Sequence, residues 1–434
     1  MISILIVVSW NGHHPSYCAE IIRAIDSLSR RIYVICPNGA NPLERVGGPA
    51  SMAGKISVVF HTNRAYRTGF RKFADLAADF RELRAHLSAI RDANPGEKMF
   101  IFHTCLDSLF IGMLHLPLLW FCIPYFLPWP FSGLLLAPER RWPLSRARQE
   151  LDRRMGEASN RDWFRRTAHW LLSGLLDGVA SGLRFYYLWQ KNQVLKRSRC
   201  EQIALQDERY ADWLRMATGK NVVLYPETTS VQVSNPPPNL VDRIAMMKPG
   251  SVVVGLLGEL SRRKGLDLLL EVIQNHNTAG LSFVIAGMCD PATLSAQHRA
   301  FLENEIHERN NVIFDPKSIS SESDFNAIIE CCDLLYCVYQ NHFHSSNVIS
   351  KAVAFRKPVL VNRGELMAKR VEEYRIGSIL TDRSPDACLR ALRCMGSPEY
   401  LKTIQETARY DQYMNDHSLA SLQRTMVMLR SVAI

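Results

Sequence analysis

Short apolar runs rich in branched side chains alternate along the chain with amphipathic helical stretches. In the first half such runs end at Val8, Cys36 and Phe60, and a further run, Lys98–Phe102, leads into His103. Apolar runs of this length are typical of strands that are buried on both faces of a parallel sheet. The alternation with helices predicts a doubly wound α/β domain, in which ligands bind at the carboxyl ends of the strands.

The same pattern restarts after a connector. Ser234–Pro238 ends in three consecutive prolines, which neither a helix nor a central strand tolerates. Beyond it, apolar runs such as Ser251–Leu257 again alternate with helical stretches. We therefore predict two Rossmann-like domains and a C-terminal helix that packs back on the first domain. The predicted bounds are 1–230 for the first domain, 231–415 for the second and 416–434 for the helix.

An insertion over residues 109–199 interrupts the first domain. Leu109–Ala137 contains no Asp, Glu, Lys or Arg, but four prolines break it, which disfavours a transmembrane helix. Two interpretations of this segment remain: a buried helix followed by an apolar loop, or a hydrophobic loop that dips into a membrane. The next segment, Pro138–Arg199, holds 14 basic and 6 acidic residues among aromatic ones. Either solvated helices or attraction to an anionic membrane surface accounts for this charge.

Composition and charge exclude several classes of protein. The 434 residues are 47% apolar and 22% charged, which excludes a disordered chain. The net charge is +10, and the basic segment alone contributes 14 − 6 = +8 of it, so a nucleic-acid partner is not expected. The 11 cysteines form no Cys-x-x-Cys pair. They indicate free thiols in the cytoplasm and no metal site.

Two loops are candidates for binding an anion. The first, Gly258–Gly265, is called the basic loop here because it carries Arg262, Arg263 and Lys264 between a strand and a helix. Cations beside a helix N-terminus suit a diphosphate, although a solvated turn would have the same composition. The spacing is not that of a Walker loop, so an NTPase is disfavoured.

The second candidate, His342–Asn347, is called the serine loop and opens a later helix. Ser345, Ser346 or Asn347 is a natural N-cap, and the same geometry leaves amides and hydroxyls that can bind phosphate. His342 and His344 lie two residues apart without acidic or cysteine neighbours. No metal site is therefore expected there.

Several spaced elements together resemble the C-terminal domain of GT-B glycosyltransferases, and most closely their retaining family four. The resemblance covers residues 250–385 well and the N-terminal half only in layout. It rests on four elements in the family's order: the basic loop, Phe283–Gly287, Asp333–Leu335 and Lys351–Val361.

The resemblance implies a set of site residues. Lys264 matches the family's lysine on the donor diphosphate, and His103 matches a histidine at a strand end near the transferred sugar. With Arg262 these are the candidate catalytic residues. The candidate donor-binding residues are Gly12, Gly258, Arg263, Gly265, Gly287, Ser345, Ser346, Asn347 and Lys351. The candidate acceptor-binding residues are His13 and His14.

The chain departs from the family's pattern at three positions. Glu259 stands where the family has an arginine, so Arg262 or Arg263 would have to replace it. Phe343 and Lys351 stand where the family has two glutamates eight residues apart. A lysine cannot accept the hydrogen bonds of a nucleotide ribose, as the second glutamate does.

By resemblance, the expected fold is GT-B, with two Rossmann-like domains facing across a cleft. The expected activity is a metal-independent, retaining hexosyltransferase that needs no cofactor. Its expected partners are a nucleotide-sugar donor, a glycan or lipid-linked acceptor and an anionic membrane surface, and its expected location is the cytoplasmic side of the membrane. The alternative is a catalytically silent homologue that binds glycan or acts as a scaffold.

Overall fold

The structure is a computed structural model that describes eight stretches of the chain, and the chain forms two compact units. The N-terminal unit contains Met1–Tyr225 and Gln423–Ile434, and the C-terminal unit contains Pro226–Leu422. The described stretches are residues 1–7, 14–42, 54–62, 71–104, 129–135, 192–247, 250–342 and 345–430.

The N-terminal unit is built on a seven-stranded sheet in the order β3-β2-β1-β4-β5-β6-β7, in which all neighbouring strands are parallel. The inner strands β1 and β4 are completely buried. The strands and helices are β1 Ile2–Ile6, α1 His14–Ile25, β2 Arg31–Pro37, β3 Ile56–His61, α2 Arg71–Asp92, β4 Met99–His103, β5 Phe131–Leu135, β6 Cys200–Leu205, α3 Ala211–Thr218 and β7 Asn221–Leu224.

The C-terminal unit is built on a six-stranded parallel sheet in the order β10-β9-β8-β11-β12-β13. Its strands and helices are α4 Asn239–Ala245, β8 Val252–Leu257, α5 Leu266–Asn275, β9 Leu281–Ala286, α6 Ala296–Asn304, β10 Val312–Asp315, α7 Glu322–Glu330, β11 Leu334–Cys337, α8 Asn347–Ala354, β12 Val359–Asn362, α9 Leu366–Tyr374, β13 Gly377–Leu380, α10 Pro385–Met395, α11 Pro398–Thr407 and α12 Tyr410–Asp416. A last helix, α13 Leu419–Leu429, crosses into the N-terminal unit.

The predicted fold class is confirmed, because both units are α/β and doubly wound around a parallel sheet. The apolar segment Leu109–Ala137 needs a correction over the part that is described. Phe131–Leu135 is not a helix or an apolar loop but the strand β5, and all five residues are buried. The lack of charge in Phe131–Leu135 therefore reflects burial within a sheet. Most of the remaining insertion lies outside the described residues.

The last helix contacts strands of the N-terminal unit through polar groups. The hydroxyl of Ser132, on β5, donates a hydrogen bond of 3.2 Å to the carbonyl oxygen of Leu429. Thr425 donates one of 3.1 Å to the carbonyl oxygen of Leu224, at the end of β7. These bonds join the end of the chain to two strands of the first sheet.

Two further observations concern the helices and the cysteines. Among the residues that the structure describes, none of the helices has both the length and the apolar character that a membrane span requires. The cysteines within those residues are all free thiols, and six of them are buried.

Candidate functional site

The basic loop turns at two glycines between β8 and α5. Gly258 has a φ of +102° and Gly265 a φ of +80°, a region that glycine enters without steric cost. A Cβ on Gly265 would lie 2.4 Å from the carbonyl oxygen of Val338. Between the glycines, Arg262–Lys264 forms one 3₁₀ turn. The glycines therefore allow three consecutive cations to lie directly before α5.

A third glycine supports this loop from β9. Gly287 has a φ of +134°, and a Cβ on it would lie 1.8 Å from the carbonyl oxygen of Gly258. No side chain larger than hydrogen fits between the two chain segments. Gly287 therefore fixes the backbone at the start of the basic loop.

Two of the three cations of the basic loop are paired with carboxylates. Arg263 Nη2 lies 2.7 Å from Glu259 Oε2, and Arg262 Nε lies 3.4 Å from Asp267 Oδ2. Burial alone would raise the pKa of Glu259, but the charge and hydrogen bond of Arg263 hold that pKa below its usual value. Glu259 is therefore an anion at neutral pH that neutralises Arg263.

Lys264 lies against an aromatic ring. Its Nζ is 3.8 Å from the centroid of the Tyr339 ring, which is a cation–π contact. Within the described part of the chain, Lys264 forms no ion pair with a carboxylate. Burial lowers the pKa of its ammonium group to about 8. Lys264 is thus mostly protonated at neutral pH, and among the three cations it is the strongest candidate to bind an anion.

The serine loop contacts the basic loop. Gln340 donates its backbone amide to the carbonyl oxygen of Arg263 at 2.7 Å. Arg263 Nη1 lies 3.2 Å from His342 Nδ1, and the His342 ring packs edge-on against Tyr339 with centroids 5.2 Å apart. The two loops that the sequence singled out therefore come together within the C-terminal unit.

The N-terminus of α8 follows the serine loop. Ser346 is its N-cap residue and is buried, but its side chain makes no capping hydrogen bond. The first two amides of α8, those of Asn347 and Val348, have no acceptor within the helix, whereas the Ile349 amide donates to the Ser346 carbonyl oxygen at 2.8 Å. The helix dipole favours an anion beside the free amides. Asn347 accepts a hydrogen bond of 3.0 Å from Thr229. Ser346 and the first-turn amides are the groups best placed to bind phosphate oxygens.

Ser345 belongs to a buried charged network. Its hydroxyl donates to the carboxylate of Glu227 and accepts a bond of 2.6 Å from Arg370 Nη1. Arg370 and Glu227 form an ion pair of 2.9 Å with both side chains almost completely buried. His417 Nδ1 accepts a bond of 2.9 Å from the Glu227 backbone amide. A phosphate would have to compete with Glu227 for the hydroxyl hydrogen of Ser345.

His417 is expected to make the protein less stable in acid. Burial and then the charge of Arg370 lower the pKa of His417 to about 3, whereas histidine in an unfolded chain has a pKa of about 6.5. As the pH falls below 6.5, the unfolded chain binds a proton that the folded chain does not, so the free energy of unfolding decreases.

The variant His417→Asn tests this expectation, because asparagine offers an acceptor for the Glu227 amide and does not titrate. Denaturant unfolding at pH 7 and pH 5 measures the free energy of unfolding at each pH. Its decrease from pH 7 to pH 5 should be smaller in His417→Asn than in the wild type. Equal losses in the two proteins would contradict a neutral, buried His417.

Lys351, one of the predicted donor contacts, is bonded to other side chains of the C-terminal unit. Its ammonium group donates hydrogen bonds of 2.7 Å to Glu322 Oε1 and 2.8 Å to Asn326 Oδ1. The side chain is buried. Asn326 in turn donates to the carbonyl oxygens of Ser230 and Gln232. Lys351 therefore fixes Asn326, which in turn binds the segment 230–232 at the start of the C-terminal unit.

The predicted residues of the N-terminal unit lie at the carboxyl edge of its sheet where they are described. His103 is the last residue of β4, is buried, and is in register with Ile6 at the end of β1. His14 is the first residue of α1. Gly12, His13 and, in the other unit, Phe343 and His344 lie outside the described residues.

The two doubly wound parallel-sheet units of this chain have the GT-B fold, which solved glycosyltransferase structures share. No family model and no curated protein sequence matches the chain. Solved structures resemble it over nearly the whole length.

Three of these structures show the extent of the similarity. Sucrose-phosphate synthase of Thermosynechococcus elongatus is 12% identical, with 99% of this chain and 98% of that chain covered and a TM-score of 0.62. HepE of Anabaena, in complex with UDP and glucose, is 13% identical, with 99% of both chains covered and a TM-score of 0.63. WaaG, a glycosyltransferase involved in lipopolysaccharide biosynthesis, is 12% identical, with 100% and 99% covered and a TM-score of 0.57.

Several residues that shape this site have little or no signal in the sequence. The ring of Tyr339 packs against the ammonium group of Lys264. The only sequence signal for Tyr339 is its position two residues after β11. Glu227, Arg370 and His417 come from distant parts of the chain. No local pattern marks them, because their contacts exist only after packing.

Proposed function

We propose that the protein is a glycosyltransferase that moves a sugar from a nucleotide-sugar donor to a glycan or lipid-linked acceptor. The observation that carries this proposal is the position of Lys264. This cation has no carboxylate partner in the described structure, and it lies on the basic loop, which contacts the segment that precedes α8. The GT-B fold supports it. HepE, which is similar in fold, has been solved with UDP and with UDP-glucose.

The chemistry of the proposed site is electrostatic. When the bond between sugar and diphosphate breaks, negative charge develops on the leaving phosphate oxygen. Lys264, the Ser346 hydroxyl and the first-turn amides of α8 stabilise this charge. Preorganised donors of this kind usually supply the largest part of a catalytic effect. The proposed enzyme is retaining and does not require a metal ion for this step.

The remaining cations have supporting roles in this proposal. Arg262 and Arg263 hold the basic loop through Asp267 and Glu259, and an incoming diphosphate can draw either guanidinium away from its carboxylate. Lys351 holds the entering segment and takes no part in ribose binding. His103 is the proposed contact for the transferred sugar, and His13 and His14 are the proposed contacts for the acceptor.

A donor screen tests the proposal. Full-length protein is incubated with a panel of UDP- and GDP-sugars, and binding and release of the nucleotide are measured. At least one donor should bind and be hydrolysed slowly without an acceptor, and the variant Lys264→Ala should lose both. If no donor binds and the variant behaves like the wild type, the protein is not a glycosyltransferase.

A catalytically silent homologue is the second candidate. The pairing of Arg262 with Asp267 and of Arg263 with Glu259 favours it, because it leaves one of the three cations of the basic loop for a ligand. Such a protein would bind a glycan without releasing nucleotide from any donor. Release of nucleotide from a donor that is lost in Lys264→Ala would exclude it.

We further propose that the acceptor is reached at the cytoplasmic face of a membrane, in the synthesis of a cell-surface polysaccharide or glycolipid. The apolar and basic insertion supports this proposal by composition alone. The protein should sediment with anionic vesicles, and less so at high salt. Neutralising Arg140, Arg141, Arg153 and Arg154 should reduce sedimentation. Equal binding to neutral vesicles would contradict the electrostatic part of this proposal.

A further inference from the structure

Three potential metal ligands converge in the N-terminal unit, apart from every residue assigned above. His61 is the last residue of β3. Glu82 and His86 lie on α2, four residues apart and therefore on one face of the helix. One ligand atom from each of the three lies within 4.8 Å of the other two. We call this group the His61 cluster.

The distances within the His61 cluster are close to those of a metal site. Glu82 Oε1 lies 3.7 Å from His61 Nδ1 and 3.7 Å from His86 Nε2. Tetrahedral ligands at about 2.0–2.1 Å from zinc are about 3.3 Å apart. Small side-chain rotations would therefore bring the three atoms to a common ion. His86 Nε2 is buried and makes no hydrogen bond within the described part of the chain.

Neighbouring residues orient these ligands. The backbone amide and the hydroxyl of Thr62 donate bonds of 2.9 Å and 2.8 Å to Glu82 Oε1, which fixes the carboxylate. Asp79 Oδ1 lies 3.9 Å from the other ring nitrogen of His61, Nε2. This separation is longer than a hydrogen bond. If ion binding draws the two groups together, Asp79 would keep the proton on Nε2 and leave the lone pair of Nδ1 for the metal.

We propose that the His61 cluster is a binding site for a divalent transition metal of the zinc class. His61, Glu82 and His86 supply three ligands, and a water molecule or other small ligand takes the fourth position. Once the ion is bound, Asp79 accepts a hydrogen bond from His61 Nε2. Two imidazoles and one carboxylate are a ligand set that zinc accepts with an open fourth position. The ion would tie the end of β3 to α2. This site is independent of the proposed donor site.

Titration with zinc tests the proposal. Tag-free, full-length protein is freed of metal by a chelator, and its accessible thiols are alkylated, since Cys394 is exposed. Calorimetry should then show one Zn²⁺ per chain. His61→Ala, His86→Ala and Glu82→Gln should each weaken binding at least 10-fold, and Asp79→Asn about 10-fold. His276→Ala, a partly buried histidine in the other unit, should bind like the wild type.

Cobalt distinguishes lost binding from lost folding. Co²⁺ bound by the wild type should show the visible absorption of a tetrahedral site, and Glu82→Gln, which keeps the size of the side chain, should abolish it while circular dichroism stays unchanged. The proposal is overturned if the alkylated wild type binds no zinc. It is equally overturned if the cluster variants bind zinc as tightly as His276→Ala.

Discussion

Replacement of Lys264 by alanine should lower the rate of sugar transfer by about 10²–10³-fold, the loss that follows removal of one preorganised electrostatic donor. The ammonium group over the Tyr339 ring is the cation of the basic loop that no described carboxylate neutralises. Steady-state kinetics with the donor found in the screen measure the effect. The control Lys317→Ala removes an exposed lysine elsewhere in the same unit and should leave the rate unchanged.

The pKa of Lys264 adds a second readout. Because burial lowers that pKa to about 8, the free protein loses this positive charge as the pH rises through 8. Binding of UDP should restore the proton, so calorimetry at pH 8 in buffers of different ionisation enthalpy should show proton uptake. Lys264→Arg keeps the charge at every pH and should show no uptake. Equal proton uptake in wild type and Lys264→Arg would assign the effect to another group.

Disruption of the Glu227–Arg370 pair should cause the largest loss of stability. Arg370→Met leaves the Glu227 carboxylate buried without its cation, and such changes cost about 3–5 kcal/mol. The double variant Glu227→Met/Arg370→Met removes both charges and should recover most of this loss. Hydrogen exchange of peptides from the C-terminal unit, measured along a urea titration, reports the free energy of opening for that unit.

An exposed ion pair of similar length is the matched control. Arg356 Nη2 lies 2.6 Å from Asp411 Oδ1, and both side chains are exposed. Arg356→Met should cost at most about 1 kcal/mol. If Arg370→Met cost as little as Arg356→Met, the buried Glu227–Arg370 pair would not be a main source of stability in the C-terminal unit.

The fold could be predicted from the sequence because its signals are local. Buried strands of a parallel sheet show apolar runs wherever they occur, and the predicted run Ser251–Leu257 contains β8. Phe131–Leu135 could not be recognised as a strand, since it lies in a long uncharged segment in which nothing marks a strand boundary. An apolar run shows that a segment is buried, but not in which secondary structure.

The candidate site could be predicted only in part. The basic loop and the serine loop follow β8 and β11, so the fold pattern alone predicts that they lie at one edge of the sheet. Which cation lacks a carboxylate partner depends on side-chain pairing, and the sequence did not show that Glu259 would pair with Arg263 rather than with Lys264. Likewise Lys351 meets Glu322, 29 residues earlier in the chain, only after α7 and α8 have packed.

The structure of the protein with UDP tests the central claim most directly. We expect the diphosphate to contact Lys264 Nζ, the Ser346 hydroxyl and the first-turn amides of α8, with Glu227 still bound to Arg370. A diphosphate bound away from Lys264 and α8, or no bound nucleotide at saturating UDP, would contradict it.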